Sequence, residues 1–474
     1  MNEEKEMEEP LLSPKRPAWW RALPALIIIV IISTIDSLIL NDFVVTRYTN
    51  AYQLNSTSSG QSARELCLNG SQTAHPSDIV PSHSTTSSYP QSTTLSPNDA
   101  IQASTARLNV YISLAATLPS IITSIVLGAN CDRIGRKPLM TLPFVGKILR
   151  YVTLTAVAYF DLSDLWIILS VMFDGLFGTA SLTLLSTFAY VSDCTTEKTR
   201  TAATIVTEVS VSCSRFLPLL TMGIYLQQPR FIQSMVITLA LSVLGFLFCL
   251  ICQPESNSNV RSMNIFQQLT LVRFKPVKNV FQVYFVKREA HKQRSLLMLI
   301  IIHLSVIVMI CGQLSIMYLY LYGAPFCMDS LGVSLNSTAQ TVFIILCTIP
   351  FTLTVAKHPD HLIYPALGCI AFMAQLVLFG ITSEIWVLYV AVCIGGLLYI
   401  LIPIVRSRIT KLVEPDEYAV VFILASVFES GGYFAISAVA NEIYGATLTF
   451  CTGCVFYVFA LVGVLAVLLI AYVE

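Results

Sequence analysis

The chain has 474 residues, of which 55% are hydrophobic and 12% charged, with equal numbers of basic and acidic side chains. Its mean hydropathy is +0.71. A water-soluble domain of this size needs more charge than this to cover its surface. The composition therefore excludes a soluble globular protein and favours no nucleic-acid partner. It predicts a polytopic helical membrane protein surrounded by the lipid bilayer.

Residues 1–21 are polar and are predicted to form a cytoplasmic tail. They precede an apolar run at 22–45 that is long enough to span a bilayer, so no cleaved signal peptide is expected. Residues 48–105 are rich in Ser, Thr, Asn, Gln and Pro and have too few apolar residues to fold alone. Sequons at Asn55 and Asn69 predict that this segment is a glycosylated loop outside the cell or in a lumen.

Apolar runs of about 20 residues recur along the rest of the chain, and each is long enough to cross a bilayer. Residues 253–294 are predicted to be a cytoplasmic linker between an N-terminal half at 22–252 and a C-terminal half at 295–474. Most Lys and Arg residues fall on segments that a cytoplasmic N-terminus places inside, so both termini are predicted to be cytoplasmic. The predicted spans lie at 22–45, 106–130, 139–160, 165–188, 202–226, 231–252, 295–322, 336–356, 362–380, 385–405, 418–440 and 447–472.

The predicted loop between the second and third spans carries six residues at fixed spacing, G-x-x-x-D-R-x-G-R-K. A glycine in this pattern permits the positive φ of a tight turn, and the basic residues favour the cytoplasmic side. The pattern resembles the corresponding loop of major facilitator superfamily transporters. The resemblance implies an all-α membrane protein with the major facilitator superfamily fold, twelve transmembrane helices in two six-helix halves. The residues of this loop motif are Gly128, Asp132, Arg133, Gly135, Arg136 and Lys137.

The loop motif is also expected to act as a gate. Acidic residues at 414–417 begin the eleventh span, where Arg133 or Arg136 can reach them. A contact that exists in one state only stabilises that state. We therefore expect the loop motif to stabilise the outward-open state by docking on the eleventh helix.

Several stretches resemble the proton-coupled folate transporter family, solute carrier family 46, among them 403–407, 428–432 and 441–447. The resemblance implies import of small organic molecules, folates among them, together with protons. It places the family's proton-coupling glutamate at Glu208 and an arginine of the tenth helix at Arg406. Two family positions differ. An aspartate of the folate carrier is replaced by Thr179 and a histidine by Ile310, so the resemblance does not imply that folate itself is the substrate.

Ionisable side chains within the predicted spans are the candidate functional residues. Each costs about 2.5–3.5 kcal/mol to insert at a helix centre, so its presence calls for a reason. Structural ion pairing and a role in proton or substrate binding are both open, and Lys147 could instead extend to the inner surface. Glu208 and Arg215 are two helical turns apart on one face, which predicts a proton-coupling pair. The candidates are Asp36, Lys147, Arg150, Asp174, Glu208, Arg215, His303, Arg406 and Glu429.

Cys67 and Cys327 are predicted to form a disulfide. The predicted topology places only these two cysteines in outer loops, where the compartment is oxidising. No cofactor, metal site or catalytic group is predicted.

Three functions fit these observations. The first is a secondary active transporter that imports a small organic anion or zwitterion with protons; the second is a proton-driven exporter of hydrophobic compounds. The third is a sensor on the same scaffold that transports nothing. A monomer is expected, with an oligomer as the alternative. The plasma membrane is the expected location, with endosomal or lysosomal membranes as the alternative.

Overall fold

The computed structural model describes residues 17–55, 97–195, 197–228, 230–258, 260–273, 290–355, 363–412, 418–448 and 450–473. Within these ranges every regular element is a helix, and a helix or a broken helix lies at each predicted span. The first six spans are Leu23–Asn55, Pro97–Ala129, Lys137–Phe160, Asp164–Leu176 with Thr179–Cys194, Glu197–Tyr225 and Phe231–Ile251. The last six are Ala290–Tyr322, Ser330–Val355, Ile363–Ile381, Ile385–Gly395 with Leu401–Leu412, Tyr418–Thr447 and Cys454–Val473.

Length and apolarity set these helices apart from those of a soluble protein. In the described part of the chain, 8 helices are long and apolar enough to cross a membrane, and two shorter apolar helices lie at Val209–Tyr225 and Ile385–Leu398. The third span is not among them. It carries Lys147 and Arg150 near its middle, and these two charges lower its hydropathy.

The outer loop is shorter than the sequence predicts. The first span continues to Asn55 and the second begins at Pro97, so both ends of the predicted loop at 48–105 are helical. Helix propagation adds one hydrogen bond for each residue it orders, which explains why polar residues extend both helices beyond the apolar runs.

Each half has its own apolar core, and the halves meet along two pairs of spans. The second span packs on the eleventh, and the fifth on the eighth. Polar contacts between the halves accompany this packing: Gln102 accepts a 2.6 Å hydrogen bond from Tyr444, and the hydroxyls of Ser113 and Ser437 are 2.9 Å apart. The groups in these two contacts are neutral, so breaking either contact exposes no charge.

The fourth span breaks beside a charged residue. Its first helix ends at Leu176 and its second begins at Thr179, and Gly178 between them has φ +91°. Glycine adopts this conformation without steric cost. The break lies one turn after Asp174 and is near the side chains described in the next subsection.

The predicted start of the twelfth span is wrong. The helix begins at Cys454 and not at 447, and Cys454 forms a disulfide with Cys451 just before the helix. Cys67 and Cys327 are therefore not the only cysteines in the segments between spans. Hydrophobic residues on both sides of Cys451 hid this boundary in the sequence.

Gly175 lets the second and fourth spans approach each other closely. A Cβ atom at this position would lie 2.2 Å from the backbone oxygen of Ala116. We expect Gly175→Ala to separate the two helices and to lower the free energy of unfolding by about 1–3 kcal/mol, as overpacking does. Thermal unfolding of the purified protein in detergent measures the loss.

Gly445→Ala is the matched control, because a Cβ at Gly445 has no atom within 4 Å. It is expected to leave the melting temperature unchanged or slightly raised. Equal melting temperatures for Gly175→Ala and Gly445→Ala would show that the close approach of the second and fourth spans does not contribute to stability.

Candidate functional site

Four charged side chains meet between the first, third and fourth spans. The ammonium of Lys147 lies 2.7 Å from Asp174 Oδ2 and 3.3 Å from Asp36 Oδ2. The guanidinium of Arg150 lies 2.9 Å from Asp36 Oδ1 and 3.3 Å from Asp174 Oδ2. Each base therefore contacts both acids. We call Asp36, Lys147, Arg150 and Asp174 the charge cluster.

Helix geometry explains how the third span supplies half of the charge cluster. Lys147, Arg150 and Tyr151 are three and four residues apart, which places them on one face of a helix. Tyr151 adds a 2.7 Å hydrogen bond to Asp36 Oδ1. Gly146 precedes Lys147, and a Cβ there would lie 2.8 Å from Phe177, so the glycine lets the third span approach the fourth.

The charge cluster is buried and electrically neutral. Its side chains are 3% to 10% exposed, and two acids balance two bases. Two of its buried atoms, Arg150 Nε and Asp174 Oδ1, have no hydrogen-bond partner among the described residues. Breaking a buried pair by removing one partner typically costs 3–5 kcal/mol, because it leaves an uncompensated charge. The charge cluster is therefore stable only while its charges balance.

The structure decides between two expectations for the third span. Lys147 does not extend to the inner surface, since its side chain is 3% exposed and lies between two carboxylates. Lys147 and Arg150 both form ion pairs, one of the two roles that the sequence analysis left open for them. Tyr151 had no part in the sequence analysis; its spacing from Lys147 is the signal that could have found it.

The predicted pair on the fifth span is described only in part. The backbone of Glu208 and Arg215 belongs to the helix Glu197–Tyr225, and Arg215 is exposed. The side chain of Glu208 lies outside the described residues, so the pairing of Glu208 with Arg215 stays a prediction.

Candidate residues of the second half are fewer. His303 is buried at 4% exposure in the seventh span. Arg406 and Glu429 belong to the helices of the tenth and eleventh spans, but their side chains lie outside the described residues. The structure brings none of these three to the charge cluster among the contacts it describes.

The loop motif folds into a tight turn at the end of the second span. Gly135 has φ +95°, as the sequence predicts, and follows the short helix Cys131–Ile134. Arg136 is 8% exposed and bonds to Asp132 at 2.6 Å and to Asp193, at the end of the fourth span, at 3.0 Å. Gly128 is buried, whereas Asp132 and Arg133 are exposed.

An acid of the linker holds the start of the third span, and the sequence analysis missed it. Glu255 accepts hydrogen bonds from the backbone N–H groups of Arg136 and Lys137, at 2.9 and 3.0 Å. A carboxylate at a helix N-terminus satisfies N–H groups without an intrahelical partner and complements the helix dipole. The Lys137 ammonium donates to the backbone oxygen of Leu250 at 2.7 Å. The linker is thus bound to the loop motif.

Charges around Arg136 keep it protonated. Burial opposes its charge, but the carboxylates of Asp193 and Asp132 raise the pKa of Arg136 above its usual value. Burial also raises the pKa of the Cys131 thiol to about 12, so this thiol, 3.1 Å from Arg136 Nη1, is neutral at physiological pH.

The expected contact between the loop motif and the eleventh helix falls outside the described residues, because 413–417 are not described. In the described part of the chain, Arg136 is occupied by Asp132 and Asp193. Docking on the eleventh helix stays a prediction.

The predicted modification sites give a similar result. Cys327 is disulfide-bonded, while Cys67 lies outside the described residues, so the pairing of these two stays a prediction. Asn55 is the last residue of the first span and Asn69 lies outside the described residues. Glycosylation at both positions stays a prediction.

Curated relatives of this chain are proton-coupled transporters. One is the lysosomal proton-coupled steroid conjugate and bile acid symporter SLC46A3 of Gallus gallus, 26% identical over 360 residues, which are 75% of this chain and 76% of the relative. Another is the proton-coupled folate transporter of Bos taurus, 23% identical over 354 residues, or 74% and 75% of the two chains. The resemblance to solute carrier family 46 is therefore confirmed, and these relatives are transporters, not enzymes.

Solved structures share the fold. The human organic anion transporter MFSD10 (TETRAN) superposes with a TM-score of 0.65 at 13% identity, covering 96% of this chain and 100% of that one. The peptide transporter POT in complex with sulfate gives 0.60 at 13% identity, covering 97% and 95%. The family model of the Major Facilitator Superfamily matches residues 86–437, about three quarters of the sequence. This chain is a multi-pass membrane transporter and belongs to the major facilitator superfamily.

Proposed function

We propose that this transporter is a symporter that carries a small organic anion together with protons by alternating access. The observation that supports this most strongly is the charge cluster, in which each of two bases contacts both of two buried acids. Such an arrangement responds to a single added proton by releasing one base.

The charge balance couples proton and anion binding. A proton on Asp36 or Asp174 gives the charge cluster a net positive charge, since Lys147 and Arg150 keep theirs. A bound anion restores neutrality. Each ligand therefore raises the affinity for the other, and this reciprocity is required thermodynamically.

The same balance selects the states that can change conformation. The empty charge cluster is neutral, and so is the one that holds a proton and an anion. A charge cluster with one ligand alone carries a buried charge, which is costly in a low-dielectric interior. Movement of the halves is favoured only in the two neutral states, which is the requirement for symport.

The names of the relatives indicate the substrate class. One relative carries steroid conjugates and bile acids, and the other carries folate. Folates and bile acids are organic carboxylates, so a small organic anion is proposed here. One of these relatives is lysosomal, and a plasma-membrane or a lysosomal location is compatible with uptake from an acidic compartment.

Glu208 is proposed as the main proton acceptor of the fifth span, with Arg215 as its neighbour. Burial of a carboxylate favours its neutral form and a nearby guanidinium favours its charged form. The two effects oppose each other and can bring protonation into the range of an acidic exterior. The released cation, Arg215 or Arg150, would meet the anionic substrate.

The proposal for the charge cluster is tested by Asp174→Asn. This variant leaves two bases with one acid, so it buries a surplus positive charge without any proton. We expect a loss of about 3–5 kcal/mol in stability and no accumulation of substrate driven by a pH gradient. The measurements are thermal unfolding and uptake of a labelled bile acid or folate panel into proteoliposomes with an acidic outside.

Two further variants make this test decisive. Asp174→Asn with Lys147→Gln restores neutrality, so it should recover stability but not pH-driven accumulation. Asp164→Asn is the control on the same helix. Its carboxylate is 36% exposed and pairs with Arg47, so its loss should cost only about 0–1 kcal/mol. Normal pH-driven accumulation in the neutral double variant would contradict the proposed role of the charge cluster in coupling. Proton-driven export of substrate by the unmodified chain, in place of uptake, would favour the exporter.

Glu208→Gln mimics the protonated carboxyl group. We expect substrate exchange at equal pH to survive, because binding and reorientation remain possible, while accumulation driven by a pH gradient is lost. Ser210→Ala is the control on the same helix, since its hydroxyl bonds only to the backbone oxygen of Val206 in the described contacts. If the Glu208→Gln variant still accumulated substrate fully in response to pH, Glu208 would not be the proton acceptor.

Asp132→Asn tests the loop motif as a gate. The Asp132 side chain is 77% exposed, so its loss should leave surface expression largely intact. Transport should fall, because Arg136 loses the negative charge of the carboxylate that it contacts at 2.6 Å. Asp161→Asn, which removes an acid that is 92% exposed and pairs with Arg47, is the control for an ion pair away from the loop motif. Failure of Asp132→Asn to reach the membrane would show a purely structural role.

A further inference from the structure

A buried carboxylate lies at the opposite end of the molecule from the loop motif. Ala22, at the start of the first span, packs with Met140 and Tyr190 near that motif. Asp42 is twenty residues further along the same helix, or about 30 Å at 1.5 Å per residue. The predicted topology places this end outside the cell or in the lumen of an organelle.

Asp42 joins the two halves. Its Oδ1 atom accepts a 2.8 Å hydrogen bond from the Ser330 hydroxyl and a 3.2 Å hydrogen bond from the Tyr322 hydroxyl. Tyr322 ends the seventh span and Ser330 begins the eighth, so both donors belong to the second half. Asp42 is 7% exposed. The contacts that bury it are therefore contacts that close this end of the transporter.

No counter-charge faces Asp42 among the described residues. The acids of the charge cluster each contact Lys147 and Arg150, whereas Asp42 has no Lys, Arg or His within 4 Å. The charged residue that acts on it is another acid, Asp329, which is exposed. A carboxylate that is buried without a cation is stable in its neutral form or when water reaches it.

The other titratable groups named at this end have partners of their own or are exposed. On the first span, Arg47 pairs with Asp161 and Asp164, and Tyr48 donates to Asp164. Between the fifth and sixth spans, Arg230 lies over the ring of Tyr225, and on the second span Arg107 is exposed. None of these supplies a cation to Asp42.

We propose that Asp42 is a second proton-binding site, and that its protonation holds this end of the transporter closed. When Asp42 is ionised, closure removes an unpaired charge from water, so the open state is favoured. When a proton neutralises Asp42, the same closure buries only a neutral carboxyl group that keeps its hydrogen bonds to Tyr322 and Ser330. An acidic exterior therefore promotes closure after loading.

This inference rests on the proposed function only in assuming that the two halves open and close alternately. It concerns a different residue from the charge cluster and does not require a known substrate. A single proton shifts such an equilibrium by up to about tenfold per pH unit. The effect of protonation can therefore be measured as a change in the accessibility of a residue between the halves, without a transport assay.

The experiment uses the full-length chain with Ala106→Cys as a reporter. Ala106, on the second span, is 2% exposed and packs within the apolar core of the second half, so it is reached only when the halves separate at this end. The rate of labelling by a membrane-impermeant thiol reagent from outside is measured at pH 7.5 and 5.5. The chain without Ala106→Cys gives the background from the native cysteines.

We expect the labelling rate to fall several-fold at pH 5.5 with Asp42 present. With Asp42→Asn, the rate should be low at both pH values, because the amide is neutral throughout. Asp329→Asn, which neutralises the exposed neighbour, is the control and should keep the response to pH. Ser330→Ala keeps the carboxylate but removes a hydrogen bond to its ionised form, so the midpoint of the response should move to higher pH.

A pH response that survives Asp42→Asn, or the absence of any response with Asp42 present, would overturn the inference. If Asp42→Asn does not reach the membrane, the test relies on Ser330→Ala. A labelling response whose pH midpoint is the same in Ser330→Ala as with Ser330 present would then overturn the inference. If Asp174→Asn loses coupled uptake while its labelling rate still responds to pH, the loss of uptake supports the proposed function. The intact labelling response then supports this inference independently. Intact coupling in the neutral variant of the charge cluster would refute the proposed function alone.

Discussion

A charge buried among membrane helices must be neutralised nearby, and this constraint organises the first half of the transporter. Lys147 and Arg150 contact both Asp36 and Asp174, so the first, third and fourth spans are held by one neutral set of charges. Removing any member leaves a charge that the interior cannot solvate. The geometry of three spans therefore depends on a balance that one proton can alter.

Apart from the hydrogen bonds of Asp42 with Tyr322 and Ser330, the contacts described between the halves are of a different kind. The ion pairs of the charge cluster and of Arg136 join residues of the first half, whereas Ser113 with Ser437 and Gln102 with Tyr444 join the halves through neutral groups. Neutral hydrogen bonds can exchange for water at small net cost. A transporter that must separate its halves repeatedly benefits from this division between strong contacts within a half and weak contacts across it.

At the end that carries the loop motif, the start of the linker is bound to the first half. Glu255 belongs to the linker, yet its carboxylate accepts hydrogen bonds from the backbone at the start of the third span. The linker segment that it begins is consequently bound to the first half.

Hydropathy and a single motif were enough to predict the fold. Runs of apolar residues predicted where the spans lie, because a bilayer imposes a minimum length, and the spacing in the loop motif indicated the superfamily. Sequence spacing also placed Glu208 and Arg215 on one helix face. For Lys147 it left two interpretations open, since the side chain of a lysine can extend to water or pair with an acid.

Only the tertiary structure decided which charges meet. Asp36 is more than a hundred residues from Lys147 and Arg150, and nothing in the chain order places it beside them. Glu255 as a cap, the break of the fourth span after Asp174 and the contact of Asp42 with Ser330 arise in the same way. The sequence by itself determined the class of protein, its span positions and its list of ionisable groups, because these follow from local composition. The pairing of those groups depends on how the helices pack, and packing joins residues that are distant in sequence.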